Sequence, residues 1–544
     1  MKTLKRVNNK LSGLLILMVL SGLTLTLRAQ IPEKLTRSIP ELEGVSSAGI
    51  IDFLNAIDTG RQEIHSFMFL RHGKVIAEGW WNPYGPDYSH VMYSASKTFT
   101  ATAIGLAVSE NKLKITDKVI SFFPYSLPDT TGELMKELTV RDLLTMSVGQ
   151  DPEPRAIGTN GDWIALFLST EPVVKPGTVF KYNNMATFML SAIVQQVTGQ
   201  TVFDYLQPRI FKPLAIRGID WDLNPQGINL GMIGLRLHTE DMAKFGQLLL
   251  QGGTWNKKQL IPKEWVKEAT SFKISNSDPQ SKIPDDINDW AQGYCYQMWR
   301  GRNNTVRLDG MAGQFVILIP DKDAVVVLTA NARNTQSEMN LVHNYLIPAI
   351  KSEKPIPDNP AVYGELQKRM KTLALKQPAS KLSKSEFEEK ISGNEFILDD
   401  NGYNIQSVYL AFNEEGCTFA LKRDNKISSI KAGQGNFKMS ISGTTSLLSP
   451  PRNLSAKSID ANYTVPRTSI KVGACYSWID KGTLEITARF VEESLGSETI
   501  VCRFSETSNA LRITIEPKSP AIQTGGPGIQ SSAVQLRGVM VNIR

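Results

Sequence analysis

A serine followed three residues later by a lysine is the spacing in this chain with the clearest potential for covalent chemistry. Residues three apart share one face of a helix, so the lysine amine can reach the serine hydroxyl and accept its proton. The pattern occurs in three places: Ser94 with Lys97, Ser109 with Lys112, and Ser428 with Lys431. The pattern alone is weak, because such a serine is usually a helix cap or a solvated turn. The surrounding sequence has to decide among the three.

That surrounding sequence favours Ser94. Residues 98–108 form an apolar run that predicts a buried helix, with Ser94 in its first turn. The positive end of a helix and its free N–H groups stabilise an alkoxide or oxyanion. Ser109 lies at the opposite end of the same predicted helix, and Ser428 lies in a region of predicted strands. We therefore predict that Ser94 alone is the nucleophile.

Two later motifs carry the residues that such a nucleophile needs. Tyr182 and Asn184 stand at the predicted start of a helix, and Tyr-x-Asn occurs once in the chain. Residues 308–314 read Leu-Asp-Gly-Met-Ala-Gly-Gln and lead into a predicted strand. Glycines at a strand entry let the backbone approach a ligand closely.

Ser-x-x-Lys, Tyr-x-Asn and the glycine-bearing strand entry, in this order, resemble the serine β-lactamase and penicillin-binding-protein family over roughly residues 50–350, and its class C-like branch most. The resemblance implies an α/β fold, with an antiparallel sheet flanked by helices beside a helical subdomain and the site between them. It also implies one role for each motif residue: Ser94 as acylated nucleophile, Lys97 as its proton acceptor, Tyr182 as general acid and base, and Asn184 as a contact for a substrate amide. The oxyanion hole would consist of the Ser94 and Met311 backbone N–H groups beside Gly310.

The sequence departs from the family where substrate carboxylates are bound. The third motif usually begins with Lys or His, but here it begins with Leu308, followed by Asp309. This third motif, together with Trp299 and the run from Gly310, makes the sequence more similar to the carboxylesterase and 6-aminohexanoate-dimer hydrolase members of the family. We predict a serine hydrolase (esterase or amidase) that cleaves a small-molecule ester or amide. Two alternatives stay open: a penicillin-recognising D-Ala-D-Ala carboxypeptidase or β-lactamase, and a non-catalytic binding protein on the same fold.

Other functional classes find little support. The four cysteines and five histidines have no zinc-site spacing, and the chain lacks a phosphate-binding GxxxxGK[ST] loop, so we expect no metal and no cofactor. The net charge is +7, but residues 1–29 carry five basic and no acidic side chains, which leaves +2 for the rest. Nucleic acid is therefore not an expected partner. Cys475 and Cys502 fall in neighbouring predicted strands, where a disulfide is allowed.

The N-terminus has the pattern of a secretory signal peptide. Residues 2–10 are basic, residues 11–27 are mostly apolar, and Ala29 ends a Leu-Arg-Ala sequence suited to cleavage. We predict an exported protein, periplasmic or secreted, with no stable membrane insertion after cleavage. A membrane anchor is the alternative, since the apolar stretch is barely shorter than a spanning helix.

The chain divides into four predicted parts: a signal peptide (1–29), a hydrolase domain (30–350), a linker with a short helix (351–379) and a separate all-β domain (380–544), either a sandwich or a small barrel. Strand pairs at 67–71 with 74–80 and 315–320 with 324–329 are predicted hairpins. The role of the β domain and the oligomeric state of the protein do not follow from the sequence. Because all three motifs precede it, we expect residues 30–376 to retain the chemical step.

Overall fold

The computed structural model describes residues 34–60, 62–377, 382–443, 448, 455–458, 464–466, 470–493, 496–508, 510–518 and 535–541. Leu35–Arg544 form one compact unit. The predicted signal peptide lies outside the described residues, so it stays a prediction.

The strands of the hydrolase region are, in chain order, β1 (Ile64–Arg71), β2 (Lys74–Trp80), β3 (His90–Val91), β4 (Asp220–Leu223), β5 (Leu235–Leu237), β6 (Thr254–Trp255), β7 (Lys258–Gln259), β8 (Trp299–Arg300), β9 (Val306–Gly310), β10 (Gln314–Ile319) and β11 (Ala324–Ala330). The α-helices before the β domain are α1 (Ser47–Thr59), α2 (Ser96–Ser109), α3 (Glu133–Glu137), α4 (Val140–Leu144), α5 (Trp163–Leu168), α6 (Asn184–Thr198), α7 (Val202–Leu206), α8 (Thr239–Leu250), α9 (Lys263–Thr270), α10 (Thr335–Leu341), α11 (Ile347–Ala349) and α12 (Pro360–Lys371).

An antiparallel sheet with the strand order β2-β1-β11-β10-β9-β8 forms the centre of the hydrolase region. Both predicted hairpins are confirmed: β1 pairs with β2, and β10 pairs with β11. Strands β1, β10 and β11 are buried along their whole length, as expected for a sheet covered on both faces. Helices α1 and α12 pack on one side, and α8 packs on the other.

Two helices of the hydrolase region begin at side-chain caps, and one of them ends at a glycine. At the start of α4, the Asp142 carboxylate accepts hydrogen bonds from the Thr139 backbone N–H (2.8 Å) and hydroxyl (2.6 Å). Helix α6 starts after Asn183, whose side chain accepts from Ala186 N, and ends at Gly199 with φ +69°. Glycine adopts this left-handed conformation without a steric penalty, which is why it ends the helix. The α/β architecture predicted for residues 50–350 is confirmed.

The described part of the β domain contains one short helix, α13 (Phe387–Ile391), and the strands β12 (Asn394–Leu398), β13 (Ile405–Asn413), β14 (Gly416–Arg423), β15 (Lys426–Gln434), β16 (Lys438–Ser442), β17 (Ser455–Ser458), β18 (Thr464–Pro466), β19 (Ile470–Asp480), β20 (Thr483–Phe490), β21 (Ser497–Thr507), β22 (Ala510–Pro517) and β23 (Leu536–Val541). Among these described strands, nine close into a barrel in the order β15-β14-β13-β12-β23-β22-β21-β20-β19. The parallel pairing of β15 with β19 closes it. Of the two predicted architectures, the barrel is therefore correct.

The barrel is also paired with the hydrolase region through backbone hydrogen bonds. Strands β17 and β18 leave the barrel and join a second sheet, in the order β18-β17-β4-β5-β3. Strand β17 pairs with β4 along its four residues. The two regions thus share a sheet whose last strand, β3, ends three residues before Ser94.

The cysteines are free and buried, so Cys475 and Cys502 are not disulfide-bonded. Within the part of the chain that the structure describes, no helix has the length and apolar character to cross a bilayer.

Candidate active site

Ser94 lies in a tight turn at the entrance to a buried helix. Tyr93–Ala95 form a single 3-10 turn that runs directly into α2, so the serine precedes the α-helix instead of lying in its first turn. Tyr93 has φ +42°, a left-handed conformation that is costly for an aromatic residue. Strain of this kind is concentrated at functional sites, where the surrounding structure imposes it.

Lys97 lies beside Ser94, as the spacing predicts. Its Nζ atom is 3.1 Å from Ser94 Oγ, 2.9 Å from Asn184 Oδ1 and 3.0 Å from the Met232 carbonyl oxygen. The side chain is almost completely buried, and this burial lowers the pKa of Lys97 to about 7, against the opposing effects of the Glu153 and Asp309 carboxylates. A substantial fraction of the amine is therefore neutral near pH 7.

The three contacts of Lys97 determine where its lone pair points. A neutral amine has two N–H donors and one lone pair. Asn184 Oδ1 and the Met232 carbonyl oxygen can only accept hydrogen bonds, so they take the two N–H groups. The lone pair is left facing the Ser94 hydroxyl, which can both donate and accept. This geometry suits Lys97 to take the proton of Ser94.

Glu153 sets the orientation of Asn184 and was not predicted from the sequence. Its carboxylate accepts hydrogen bonds from the Asn184 backbone N–H and from Asn184 Nδ2, the latter at 3.0 Å. The amide nitrogen therefore faces Glu153, and Oδ1 faces Lys97. Glu153 lies in a loop between two prolines, and no feature of its local sequence distinguishes it from a solvated glutamate.

Tyr182 closes one side of the Ser94–Lys97 pair. Its ring stacks on Trp299 with 5.8 Å between the centroids, and Lys97 Nζ lies 4.9 Å from the centre of the Tyr182 ring. Burial raises the pKa of the Tyr182 hydroxyl above its ordinary value, although a hydrogen bond with the Ser94 side chain acts in the opposite direction. The phenol therefore keeps its proton near neutral pH and can donate it.

The glycine-bearing motif forms the turn between β9 and β10. A Cβ atom on Gly310 would lie 2.2 Å from the Met92 carbonyl oxygen, so only glycine lets β9 end this close to the turn that carries Ser94. Met311 lies at the exposed tip of the hairpin next to Gly310. Its backbone N–H as part of an oxyanion hole, together with that of Ser94, stays a prediction.

The charges around the site are mainly negative. Leu308, which occupies the position of the family's cation, is fully buried in the core. The next residue, Asp309, lies 2.9 Å from Arg307, and burial raises the pKa of its carboxyl group. Asp309 and Glu153 both act electrostatically on Lys97 and Tyr182. A substrate carboxylate would meet repulsion here.

The other two serine–lysine pairs have different surroundings. The Ser109 hydroxyl donates to the Leu106 carbonyl oxygen at 2.8 Å, at the end of α2. Ser428 lies in barrel strand β15, opposite Leu421. Across the described ranges, no group of three His, Cys, Asp or Glu side chains could hold a metal ion. The structure thus brings together Ser94, Lys97, Tyr182 and Asn184, and adds Glu153 to them.

Comparisons with known proteins agree with this fold. The Beta-lactamase family model matches residues 59–346. This is more than half of the chain, which therefore belongs to the beta-lactamase family, a family of serine hydrolases. The resemblance inferred from the three motifs is confirmed.

Individual relatives are distant. The chain is 22% identical over 288 residues to the 6-aminohexanoate-dimer hydrolase of Paenarthrobacter ureafaciens, covering 48% of this chain and 71% of the relative. It is 21% identical over 285 residues to a Beta-lactamase of Escherichia coli (strain K12), covering 44% and 74%. A solved penicillin-binding protein homologue from Caulobacter crescentus aligns with a TM-score of 0.45 and 16% identity, covering 55% of this chain and 94% of that one.

Proposed function

We propose that this protein is a serine hydrolase that cleaves small esters or amides through an acyl-enzyme on Ser94. The observation that carries the proposal is the position of Lys97, whose Nζ atom lies 3.1 Å from Ser94 Oγ and within hydrogen-bond distance of two further acceptors, Asn184 Oδ1 and the Met232 carbonyl oxygen. A serine hydroxyl is a weak nucleophile at neutral pH and needs such a base.

The reaction would proceed in two steps, acylation of Ser94 and hydrolysis of the acyl-enzyme. Lys97 takes the Ser94 proton as Oγ attacks the substrate carbonyl carbon, and the bond to the leaving group breaks as that group receives a proton. We assign the transfer of this proton to Tyr182, because its ring lies 4.9 Å from Lys97 Nζ and the Ser94 side chain acts on the pKa of its hydroxyl. Water then attacks the acyl-enzyme, releases the acid and returns the proton to Ser94.

The charges favour substrates without a carboxylate next to the scissile bond. Leu308 is buried, and Asp309 and Glu153 make the surroundings of Lys97 negative. Neutral esters and amides are therefore better substrates than β-lactams or D-Ala-D-Ala peptides in this proposal. One relative is named 6-aminohexanoate-dimer hydrolase, which is a hydrolase of a substrate other than a β-lactam.

The test is a fluorophosphonate label followed by peptide mapping, together with a substrate panel of nitrophenyl esters, a chromogenic cephalosporin and a D-Ala-D-Ala peptide. We expect the adduct on the Ser94 peptide, its loss in S94A, and turnover of the neutral esters. Labelling that persists in S94A would refute the assignment. Turnover of the cephalosporin above that of every ester would refute the substrate class.

We also propose that the protein is exported, because residues 1–29 have the pattern of a signal peptide. N-terminal sequencing of the protein from its native host should then begin at Gln30. A chain that retains residues 1–29 in the cytoplasm would contradict this.

A further inference from the structure

Residues 489–493 of the barrel, here called the barrel brace, reach into the hydrolase region next to the nucleophile. They comprise the end of β20 and the three residues after it. Val491 is completely buried in the hydrophobic core that also contains Phe67 and Trp81 of the hydrolase region. The contact is therefore part of a core and not a loose surface contact.

The first polar contact of the brace is the pair of Glu493 and Arg236. Glu493 Oε1 accepts hydrogen bonds from Arg236 Nη2 (2.7 Å) and Nε (3.1 Å). Arg236 lies in β5, where its side chain is 4% exposed and also binds the Asp220 and Asp222 carboxylates. Buried guanidinium groups held by several carboxylates are rigid, because each hydrogen bond fixes the planar group further. Glu493 thus fixes β5 from the barrel side.

Strand β5 and the loop before it hold the nucleophile turn and its base. The Leu235 carbonyl oxygen accepts from Met92 N at 2.8 Å, and Leu235 N donates to Ser96 Oγ at 3.3 Å. The Met232 carbonyl oxygen, three residues before Leu235, is an acceptor for Lys97 Nζ. A shift of this segment would therefore move both the Ser94 turn and an acceptor that orients the Lys97 lone pair.

The second contact of the brace reaches β3, which directly precedes the nucleophile turn. Val91 N donates to the Glu492 carbonyl oxygen at 3.2 Å. Arg489 Nη1 lies 2.7 Å from Glu63 Oε1, and the same carboxylate oxygen is 3.1 Å from His65 Nε2.

The chain of contacts from Arg489 continues through a second buried imidazole. His65 Nδ1 lies 3.0 Å from His90 Nε2, and His90 Nδ1 lies 3.1 Å from the Val91 carbonyl oxygen. Tyr84 stacks on His65 with 3.8 Å between ring centroids, which leaves the imidazole little freedom to move. A continuous set of polar contacts, half-buried at Arg489 and Glu63 and buried at His65 and His90, therefore connects the barrel to the backbone three residues before Ser94.

We propose that the barrel brace, through Arg489 and Glu493, is a positioning element for Ser94 and Lys97, and that the barrel is required for full catalytic rate. This inference rests on the proposed function of Ser94. It is the opposite of the sequence-based expectation that residues 30–376 retain the chemical step. A small displacement of a reacting group is sufficient to slow an enzyme by about 100-fold.

The test uses the full-length chain with R489M and E493A combined, compared with the charge-retaining combination R489K and E493D. We expect the first to lower kcat for a nitrophenyl ester at least about tenfold with KM within about threefold, because positioning affects the chemical step more than binding. The second should recover most of the rate. The matched control is E506Q, which removes a barrel ion pair between Lys390 and Glu506 and should leave kcat unchanged.

Two further measurements separate positioning from loss of the fold. The rate of Ser94 labelling across pH 5 to 9 should show a shifted midpoint in the R489M and E493A protein, because the acceptors around Lys97 move. Hydrogen exchange of the backbone amides of residues 90–97 should become faster, with residues 240–250 unchanged. A folded variant with wild-type kcat, pH midpoint and exchange would overturn the proposal.

The single variants R489M and E493A keep the test decisive if the combination does not fold. Each should then lower kcat about threefold or more and accelerate exchange at residues 90–97. If the wild-type protein itself is not labelled at Ser94, the proposed function fails, whereas the exchange measurement still reports whether the brace holds the turn.

Discussion

The Glu153 carboxylate binds both the backbone N–H and the side-chain amide of Asn184, and thereby turns Asn184 Oδ1 toward Lys97. The resemblance assigns the Asn184 amide to the substrate. In this structure one N–H of that amide is already bound by Glu153. Asn184 therefore orients the Lys97 amine, with its remaining N–H available to a substrate.

The first prediction concerns Glu153. The variant E153Q should slow Ser94 labelling about tenfold at its optimal pH, because a glutamine can no longer accept two hydrogen bonds through a carboxylate and Asn184 loses its fixed orientation. It should also move the pH midpoint below about 7, since Glu153 raises the pKa of Lys97. The measurement is the labelling rate across pH 5 to 9. E171Q is the matched control, because Glu171 accepts from the Leu134 backbone N–H away from the site; an E153Q profile like that of E171Q would contradict this role.

The second prediction concerns the titration of Lys97. The rate of acylation should rise with pH through a midpoint near 7, because only the neutral amine accepts the Ser94 proton and burial lowers the pKa of Lys97 to about 7. K97A and K97M should abolish turnover of every substrate. Residual turnover of a nitrophenyl ester at more than about one hundredth of the wild-type kcat would show that another group acts as the base.

The same pKa has a consequence for stability. The unfolded lysine titrates near 10.5, so between pH 7 and 10.5 the unfolded chain binds more protons and stability rises with pH. Burying the charged amine costs most below pH 7. K97M should therefore be more stable than wild type by about 1–3 kcal/mol at pH 6.5, less near pH 10. Urea denaturation at both pH values measures the free energy of unfolding. An equal difference in this free energy between K97M and wild type at the two pH values would contradict the prediction.

The third prediction separates esters from amides. Y182F should slow the hydrolysis of amides by about 100-fold to 10,000-fold, but that of activated nitrophenyl esters much less, because an amine leaves poorly unless it is protonated. The measurement is kcat/KM for a matched ester and amide. If Y182F hydrolyses the amide at the wild-type rate while Ser94 is still labelled, Tyr182 serves only to pack against Trp299.

The fourth prediction concerns the close approach at Gly310. G310A should lower kcat at least about tenfold, because its Cβ would lie 2.2 Å from the Met92 carbonyl oxygen and push β9 away from the Ser94 turn. Gly364 offers a matched control in helix α12, since a Cβ there meets no atom within 4 Å. G364A should leave kcat unchanged and stabilise the protein by about 0.5–1 kcal/mol. Equal kcat values for G310A and G364A would contradict the prediction that a Cβ atom at position 310 displaces β9.

The fifth prediction concerns charge and substrate choice. D309N should raise the ratio of kcat/KM for a carboxylate-bearing ester over its neutral methyl-ester analogue by about threefold to tenfold, because one of the carboxylates that repel a substrate anion is removed. Both substrates are measured at low and high salt. An unchanged ratio would mean that Asp309, held by Arg307, does not act on the substrate.

Much of the site followed from local sequence. The spacing of Ser94 and Lys97 determined that one amine would reach one hydroxyl, because a helical turn fixes that distance over four residues. The hairpin at β1 and β2 followed from turn chemistry, which also acts over a few residues. The sequence of residues 380–544 predicted strands but left sandwich and barrel open, because barrel closure depends on the pairing of β15 with β19, about forty residues apart.

Tertiary structure alone decided the contacts between residues far apart in the chain. Glu153 meets Asn184 across 31 residues, and Arg489 meets Glu63 across 426. Neither pair has a local pattern, because a carboxylate on a loop has the same sequence signature whether it is solvated or buried against a partner. The sequence by itself predicted Ser94, Lys97 and Tyr182, the residues to which we assign the chemistry, from motifs that each span a few positions. Folding determined how Lys97 is buried and oriented, and brought the barrel against the turn that holds Ser94.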